Sequence, residues 1–235
     1  MKTLKELRSE MNRDSGVIPV PIHFRHVGDG KSYIPEENIQ EKHIYYWLKQ
    51  NDNDHIPPQT PIENVLGSAK NLTPSQGISI HKYKKSSEEL NHSLIEGNTN
   101  KNQNEQAKHL DNAIENNKIE GSVHVYSGLG FDPTKHMNEN GQLHSPAYIS
   151  TSHDKFKAKG FATPVNGIHH IMHLYLPKGS PAMHMPEHVS KESEESEEEV
   201  LLRRGATLQH NGYRDYNGPR KYRIHRMSLV PPDKE

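Results

Sequence analysis

A dense group of carboxylates lies within residues 192–208. Six glutamates fall within eight residues, and the last of them, Glu199, is followed directly by Val200, Leu201 and Leu202. Because no turn residue separates the acidic run from this apolar segment, the pattern predicts that the chain passes straight into a buried strand. A carboxylate held at the start of such a strand is a candidate catalytic group. The remaining acids are expected to form a solvated loop face.

Two further segments combine aromatic, hydroxyl and glycine residues in strand-like surroundings. The first is VYSG at residues 125–128, and the second is YISTS at residues 148–152. Serine and threonine are common at strand ends, so neither segment alone indicates a functional site. Together with the acidic run, they place three polar motifs on three predicted strands in a fixed order.

The chain has 18 histidines, which raises the question of metal binding. HMPEH at residues 184–188 fits the pattern of an inverted zinc protease motif, which needs both histidines on one helical face. Prolines within and just before this segment oppose a helix, so the zinc hydrolase interpretation is disfavoured. HHIMH at residues 169–173 places His169 and His173 on one side of a strand and His170 on the other. We expect these histidines to face solvent.

Composition excludes several classes of protein. The 235 residues are 31% hydrophobic, carry a net charge of −1 and include no cysteine. The balanced charge gives no general attraction to nucleic acid or anionic membranes, and the lack of cysteine removes disulfides, thiolate catalysis and cysteine zinc ligands. We see no signal peptide, and no apolar run approaches the ~18 residues that a membrane span needs. We therefore expect a cytoplasmic protein with no membrane partner and no direct nucleic acid binding.

The first half of the chain is typical of helices and linkers. A helix is expected over residues 37–50, and another begins near Ser86, where Ser86 and Glu89 form a capping box. The Asn-rich residues 96–105 are expected to form a mobile loop. A further helix follows, with three apolar residues on its inner face: Ala107, Leu110 and Ile114.

The second half of the chain is typical of strands. Six segments qualify: residues 122–129, 147–151, 167–177, 199–205, 206–212 and 221–230. Helices first and strands afterwards indicate an α+β fold with antiparallel sheets.

In this order, VYSG, YISTS and EEEVLL resemble the mono-ADP-ribosyltransferases of the arginine–serine–glutamate branch, which includes bacteriophage and bacterial exoenzyme-type enzymes. The similarity covers roughly residues 75–230, because the helices before the first motif and the segments between the motifs also look like those of the family. The resemblance implies two packed antiparallel β-sheets that form an NAD cleft, preceded by helices. It further implies that residues 71–235 are the catalytic domain and residues 1–70 an N-terminal extension or accessory region.

The resemblance also implies a role for each motif residue. Glu199 would stabilise the positive charge that builds on the ribose when the glycosidic bond of NAD, the substrate, breaks. Glu197 would activate an acceptor arginine, and Ser150 would orient Glu199. Glu195 and Glu197 form a second Glu-x-Glu pair, so a shifted register stays open, although only Glu199 adjoins the strand. Six residues would line the NAD site: Tyr126, Ser127, Gly128, Thr151, Ser152 and Phe161. No metal is implied.

One position departs from the family pattern. The first motif normally reads Tyr-Arg-Gly, and its arginine grips an NAD phosphate, but here Ser127 occupies that place. Lys155, Lys157 or Lys159 are candidates to supply the missing charge. Two alternatives therefore stay open, a catalytically silent protein-binding module and an NAD glycohydrolase that uses water as acceptor. Two positions stay open for Phe161, which could stack on nicotinamide or pack in the core.

Partners are implied by the same resemblance. They are NAD and a target protein, with host transcription or translation proteins as the expected targets. Since we see neither a signal peptide nor a translocation segment, we expect a bacteriophage enzyme acting in its host's cytoplasm rather than a self-delivering toxin.

Overall fold

The structure, a computed structural model, describes residue 69 and residues 71–186, 198–217 and 220–230. Three helices precede the first described strand: α1 Pro74–Lys85, α2 Ser87–Glu96 and α3 Lys101–Asn116. The predicted inner face of α3 is confirmed, because Ala107, Leu110 and Ile114 are all fully buried. The helix predicted over residues 37–50 lies outside the described residues.

Two of these helices begin where side chains satisfy the first backbone N–H groups. At α1, Thr73 N–H donates to Gln76 Oε1 at 2.8 Å and Gln76 N–H donates to Thr73 Oγ1 at 3.3 Å. Asn100 and Gln103 form the same reciprocal capping box at α3. Because this box starts the helix inside the Asn-rich segment, the prediction of a mobile loop is wrong for residues 101–105.

The predicted start of α2 differs from the structure. Ser86 does precede the helix, but its side chain makes no capping hydrogen bond, so the predicted Ser86–Glu89 box is wrong. Glu88 and Glu89 in the first turn instead place negative charge at the positive end of the helix dipole. Leu90 is buried and packs α2 against the other helices.

Nine strands lie within the described residues: β1 Val123–Leu129, β2 Gln142–Ser145, β3 Ile149–Ser152, β4 Pro164–Val165, β5 Ile168–Leu176, β6 Ala182–His184, β7 Glu199–Leu202, β8 Ala206–Tyr216 and β9 Lys221–Leu229. A short 3-10 helix, Pro133–His136, follows β1, and helix α4, Lys155–Phe161, follows β3. The strands hydrogen-bond in the order β2-β8-β9-β5-β1-β3-β7-β6, and β4 pairs with β5. The described pairs are antiparallel except for β5–β9, which is parallel. The predicted α+β fold is confirmed.

The strand path bends so that its two halves share one core. Val200 and Leu202 of β7 cluster with Val125 of β1, Leu174 of β5 and Leu208 of β8. No residue of the described helices belongs to this cluster, because these helices pack in two other clusters. The inner faces of the two strand layers therefore bury one another. A single described residue pair joins β1 to β3, which marks the bend between the two packed layers.

Helices cover the outer faces of the two layers. Because strand side chains alternate, Leu201 of β7 points away from the inner core and packs against Ile80 and Leu110 of α1 and α3. On the other layer, Ala158 of α4 packs near Ile171 of β5. None of the helices in the described ranges is long and apolar enough to span a bilayer.

Candidate active site

A cavity of about 440 Å³ opens where α1 meets α2, beside β1, β3, α4 and the start of β7. Eight of the nine predicted site residues line it: Tyr126, Ser127, Gly128, Ser150, Thr151, Ser152, Phe161 and Glu199. The ninth, Glu197, lies outside the described residues. Three motifs that are far apart in the sequence thus meet around one cleft.

The register of β3 and β7 explains why Ser150 and Glu199 share this cleft. Ser152 lies opposite Glu199, and Ser150 lies opposite Leu201. Because side chains alternate along a strand, Ser150, Ser152 and Glu199 lie on one face of the pair. That face is the one on which Leu201 packs against the helices. The cavity therefore forms between the helices and the polar end of this face.

Ser150 is connected to the helices through a tyrosine. Its Oγ lies 3.2 Å from the hydroxyl of Tyr83, which also accepts a hydrogen bond from Asn91 Nδ2 at 3.0 Å. The Tyr83 ring meets the Tyr148 ring edge-on, with centroids 5.6 Å apart. These contacts hold the Ser150 hydroxyl in place at the cavity. The predicted hydrogen bond from Ser150 to Glu199 stays a prediction.

The other predicted hydroxyls join the elements that form the walls. Thr151 Oγ1 donates to a β7 carbonyl at 2.6 Å, and Ser127 Oγ donates to the Ser150 carbonyl at 2.9 Å. Ser152 Oγ accepts from the backbone N–H two residues later at 3.0 Å, just before α4. These bonds tie β3 to β1, β7 and α4, so the cleft is held by its own lining residues.

Gly128 is required because the backbone of α4 lies directly against β1. A Cβ at this position would lie 2.2 Å from the Ala158 carbonyl oxygen, 2.4 Å from Ala162 N and 2.7 Å from the Phe161 carbonyl carbon. Phe161 itself is 64% exposed, so of its two predicted positions the core position is wrong. Phe161 is instead one of the residues that line the cavity.

The backbone is strained immediately before Glu199. Glu198 has φ 48, the left-handed region, which typically costs a non-glycine residue roughly 1–2 kcal/mol. Its carboxylate lies 2.8 Å from His153 Nε2 and 3.8 Å from Lys157 Nζ. Glu198 was expected on a solvated loop face, whereas these contacts fix it beside α4. The chain consequently enters β7 in a defined direction, with Glu199 at the cavity.

The helix side of the cavity was missed from the sequence. Tyr83 and Lys84 at the end of α1 and Ser87 and Glu88 at the start of α2 line it. Because these residues lie on two helices that are separated at Ser86, no single helical periodicity in the sequence could have identified them.

Lys84 is the cationic residue among the described lining residues. The three lysines predicted to replace the missing arginine do not line the cavity. Lys155 and Lys159 lie over tyrosine rings, at 5.4 and 5.3 Å from the centroids, and Lys157 is the lysine that approaches Glu198. Lys84 is therefore the better placed candidate for contact with an anionic ligand.

The prediction that the HHIMH histidines face solvent is wrong for two of them. His170 and His173 are 2% and 8% exposed, because β5 is a central strand between β1 and β9 with both faces covered. His173 Nε2 lies 2.7 Å from His124 Nδ1, and His170 Nδ1 lies 2.9 Å from His225 Nε2. In the HMPEH segment, His184 ends strand β6, while residues 187–188 lie outside the described residues.

Alkaline pH should destabilise the protein through Tyr83. Burial raises the pKa of Tyr83 from 10.0 to about 12, although its bonds with Ser150 and Asn91 act in the opposite direction. Above pH 10 the unfolded chain releases this proton while the native protein keeps it, so stability is full below pH 10 and is lost as pH rises towards 12. Over this interval, the free energy of unfolding of Tyr83→Phe should fall by roughly 2–3 kcal/mol less than that of wild type. Urea unfolding at each pH measures the difference, and identical losses in both proteins would refute it.

The family of the chain follows from a sequence comparison. Residues 63–229 match the family model of the ADP-ribosyltransferase exoenzymes, so the chain belongs to that family. This confirms the resemblance predicted from the three motifs. Among curated proteins, no sequence matches the chain.

Solved structures of such enzymes share the fold. Plx2a, an ADP-ribosyltransferase toxin from Paenibacillus larvae, is 21% identical over 68% of this chain and 88% of its own, with a TM-score of 0.57. C3stau2 from S. aureus, solved with NAD, is 21% identical over 70% of this chain and 90% of its own, with a TM-score of 0.56. The Clostridium limosum C3 exoenzyme is 17% identical over 85% of this chain and 98% of its own, with a TM-score of 0.56.

Proposed function

We propose that this protein is a mono-ADP-ribosyltransferase that moves ADP-ribose from NAD to an arginine of a target protein and releases nicotinamide. The position of Glu199, at the first residue of β7 and on the cavity wall with Ser150 and Tyr126, supports this most directly. The presence of NAD in the C3stau2 structure supports NAD as the donor. The proposed catalytic domain is residues 71–235, with residues 1–70 as an accessory region. The proposed targets are cytoplasmic, such as host transcription or translation proteins modified by a bacteriophage enzyme.

The first chemical step is the loss of nicotinamide. The bond between ribose C1′ and the nicotinamide nitrogen breaks, and nicotinamide leaves as a neutral molecule with the electron pair. The ribose is left as an oxocarbenium ion, as in glycoside hydrolysis. Glu199 stabilises this charge from a fixed position, and fixed electrostatic groups of this kind are effective because they need no reorganisation during the reaction. Ser150, held by Tyr83, orients Glu199.

The second step is capture of the ribose by the acceptor. A guanidinium nitrogen of the target arginine attacks C1′, and its proton passes to Glu197. Glu198, held by His153 and Lys157, fixes the chain between Glu197 and Glu199. In this proposed Glu-x-Glu arrangement, the acceptor base is two residues away in the sequence from the group that stabilises the sugar.

Mapping the modified residue tests the acceptor assignment. We expect mass spectrometry of labelled target proteins to place ADP-ribose on arginine. Glu197→Gln should retain NAD cleavage but lose arginine transfer, because the amide cannot take the proton. Glu195→Gln is the matched control and should transfer normally. Modification of another residue type, or equal losses in both variants, would contradict the assignment.

NAD binding is proposed to use both sides of the cavity. Gly128 allows the nicotinamide amide to approach the β1 backbone, beside Tyr126 and Ser127, and Phe161 stacks on the nicotinamide ring. Thr151 and Ser152 form the part of the cavity wall that β3 supplies. Lys84 contacts a phosphate from the helix side, where a lysine can act as a point charge.

Removal of the positive charge of Lys84 should weaken NAD binding. Hydrogen bonds to charged groups contribute about 1.5–3 kcal/mol, so Lys84→Ala should raise the NAD dissociation constant about tenfold or more. Calorimetric titration with NAD measures this constant. Lys85→Ala, a neighbouring exposed lysine of α1, serves as the control and should bind normally. Unchanged binding by Lys84→Ala would exclude Lys84 from the phosphate site.

Ser127 favours a second candidate function. With serine in place of the family's arginine, the cavity lacks the cation that this motif usually supplies, which would suit a catalytically silent protein-binding module. An NAD glycohydrolase, with water as the acceptor, is the remaining alternative. Calorimetry separates the silent module, which should not bind NAD, from the two enzymes, and protein labelling separates the transferase from the hydrolase.

A further inference from the structure

A second group of functional side chains lies away from the cavity, at one end of the inner core. Asp132 precedes the 3-10 helix after β1, His170 lies on β5 and His225 lies on β9. One ligand atom of each side chain lies within 4.8 Å of the others. None of these three residues lines the cavity. The group is therefore separate from the proposed NAD site.

We propose that Asp132, His170 and His225 bind one divalent metal ion of the zinc type. His170 Nδ1 lies 2.9 Å from His225 Nε2, and Asp132 Oδ1 lies 3.9 Å from His170 Nδ1. Ligand atoms that bind zinc at about 2.0–2.2 Å in tetrahedral geometry are separated by roughly 3.3–3.5 Å. The two distances lie on either side of that range, so small side-chain adjustments complete the site. Water supplies the fourth ligand.

The chemistry of these groups suits a metal ion. His170 and His225 are 2% and 0% exposed, and their ring nitrogens face one another inside the protein rather than solvent. Two imidazoles and one carboxylate match the preference of zinc.

Neighbouring side chains orient the proposed ligands. His225 Nδ1 lies 3.3 Å from His210 Nε2, so a proton on Nδ1 donated to His210 leaves His225 Nε2 with its lone pair towards His170. Thr134 donates to Asp132 Oδ1 from its N–H at 3.1 Å and its hydroxyl at 2.7 Å. Metal-binding histidines and carboxylates typically have such partners. Besides the small side-chain adjustments, binding requires the His170 proton to move from Nδ1 to Nε2.

The position of the site indicates a stabilising role. Its ligands come from β5, from β9 and from the segment that follows β1, and these three strands are neighbours in the sheet. A bound ion would therefore link three elements on the layer that carries Tyr126 and Gly128. Because the ion binds the native arrangement of ligands, it should raise the melting temperature.

Cobalt titration of the chelator-treated full chain tests this inference, since tetrahedral Co²⁺ absorbs strongly in the visible range. We expect one equivalent to bind and Zn²⁺ to displace it. His210→Ala should weaken binding about 10- to 100-fold, and Asp132→Asn should weaken it at least as much. His144→Ala, an exposed histidine beside Thr207, is the control and should bind like wild type.

Thermal unfolding with Zn²⁺ gives an independent measurement. Wild type and His144→Ala should melt at higher temperature with Zn²⁺, while His210→Ala should gain less and Asp132→Asn least. Circular dichroism identifies a variant that does not fold, in which case the remaining variant decides. The inference is overturned if wild type shows no tetrahedral cobalt spectrum, or if a folded Asp132→Asn or His210→Ala variant binds as tightly as wild type.

Discussion

Glu199→Gln should leave the fold and NAD binding intact and slow NAD cleavage by about 10² to 10³-fold, the usual effect of losing one preorganised electrostatic group. Glutamine keeps the size and hydrogen-bonding capacity of the side chain but removes the charge that stabilises the oxocarbenium ion. The rate constant for nicotinamide release at saturating NAD measures the loss. The NAD dissociation constant, measured in parallel, should change little.

Glu198→Gln is the matched control for this experiment. Glu198 precedes Glu199 and contacts His153 and Lys157, but it does not line the cavity. Because the glutamine amide oxygen can still accept hydrogen bonds from His153 and Lys157, the chain before β7 should keep its position, and this variant should cleave NAD at a rate close to that of wild type. A Glu199→Gln variant as active as wild type, or a larger loss in Glu198→Gln, would show that the catalytic glutamate is assigned incorrectly.

Gly128→Ala should cause the largest loss of stability among the substitutions considered. The added methyl group would lie within 2.7 Å of three backbone atoms of α4 and the residue after it, so the helix must move away from β1. Overpacking of this kind costs about 1–3 kcal/mol, and more when backbone must shift. Urea unfolding measures the cost. The displaced helix should also disturb Phe161 and weaken NAD binding.

Gly160→Ala provides the comparison within the same helix. A Cβ at Gly160 meets nothing within 4 Å, and alanine is favoured over glycine inside a helix by up to about 1 kcal/mol. This variant should therefore be as stable as wild type or slightly more stable. Equal stabilities of the two variants would mean that α4 does not lie against β1 as described.

The strand-borne half of the site could be predicted because its signals are local. Short segments of apolar, aromatic and hydroxyl residues identify β1 and β3, an unbroken apolar run identifies β7, and Glu199 is singled out by its place directly before Val200, Leu201 and Leu202. Pairing of Ser152 with Glu199 then follows from the register that buries one face of each strand. These motifs do not reveal the parallel β5–β9 pair, which joins segments about 50 residues apart in sequence.

The remaining features depend on tertiary context. Tyr83 and Lys84 reach the cavity only because the α1–α2 junction packs over β3, which helical periodicity does not show. His170 reads as a surface residue of a strand, but it is buried because β5 is central and the two layers fold over it. For Lys155 and Lys159, charge and position in sequence favoured the ligand site, whereas the structure places them over tyrosine rings.

Transfer of label from adenine-labelled NAD to proteins of a cytoplasmic extract, with released nicotinamide measured in the same reaction, tests the proposed activity most directly. We predict that wild type releases nicotinamide, that protein-bound label accounts for it, and that both are lost with Glu199→Gln. Nicotinamide release without protein label would contradict transfer and indicate a glycohydrolase. The absence of both nicotinamide release and protein label would contradict catalysis altogether. It would favour a binding module in which Ser127 has replaced the family's arginine.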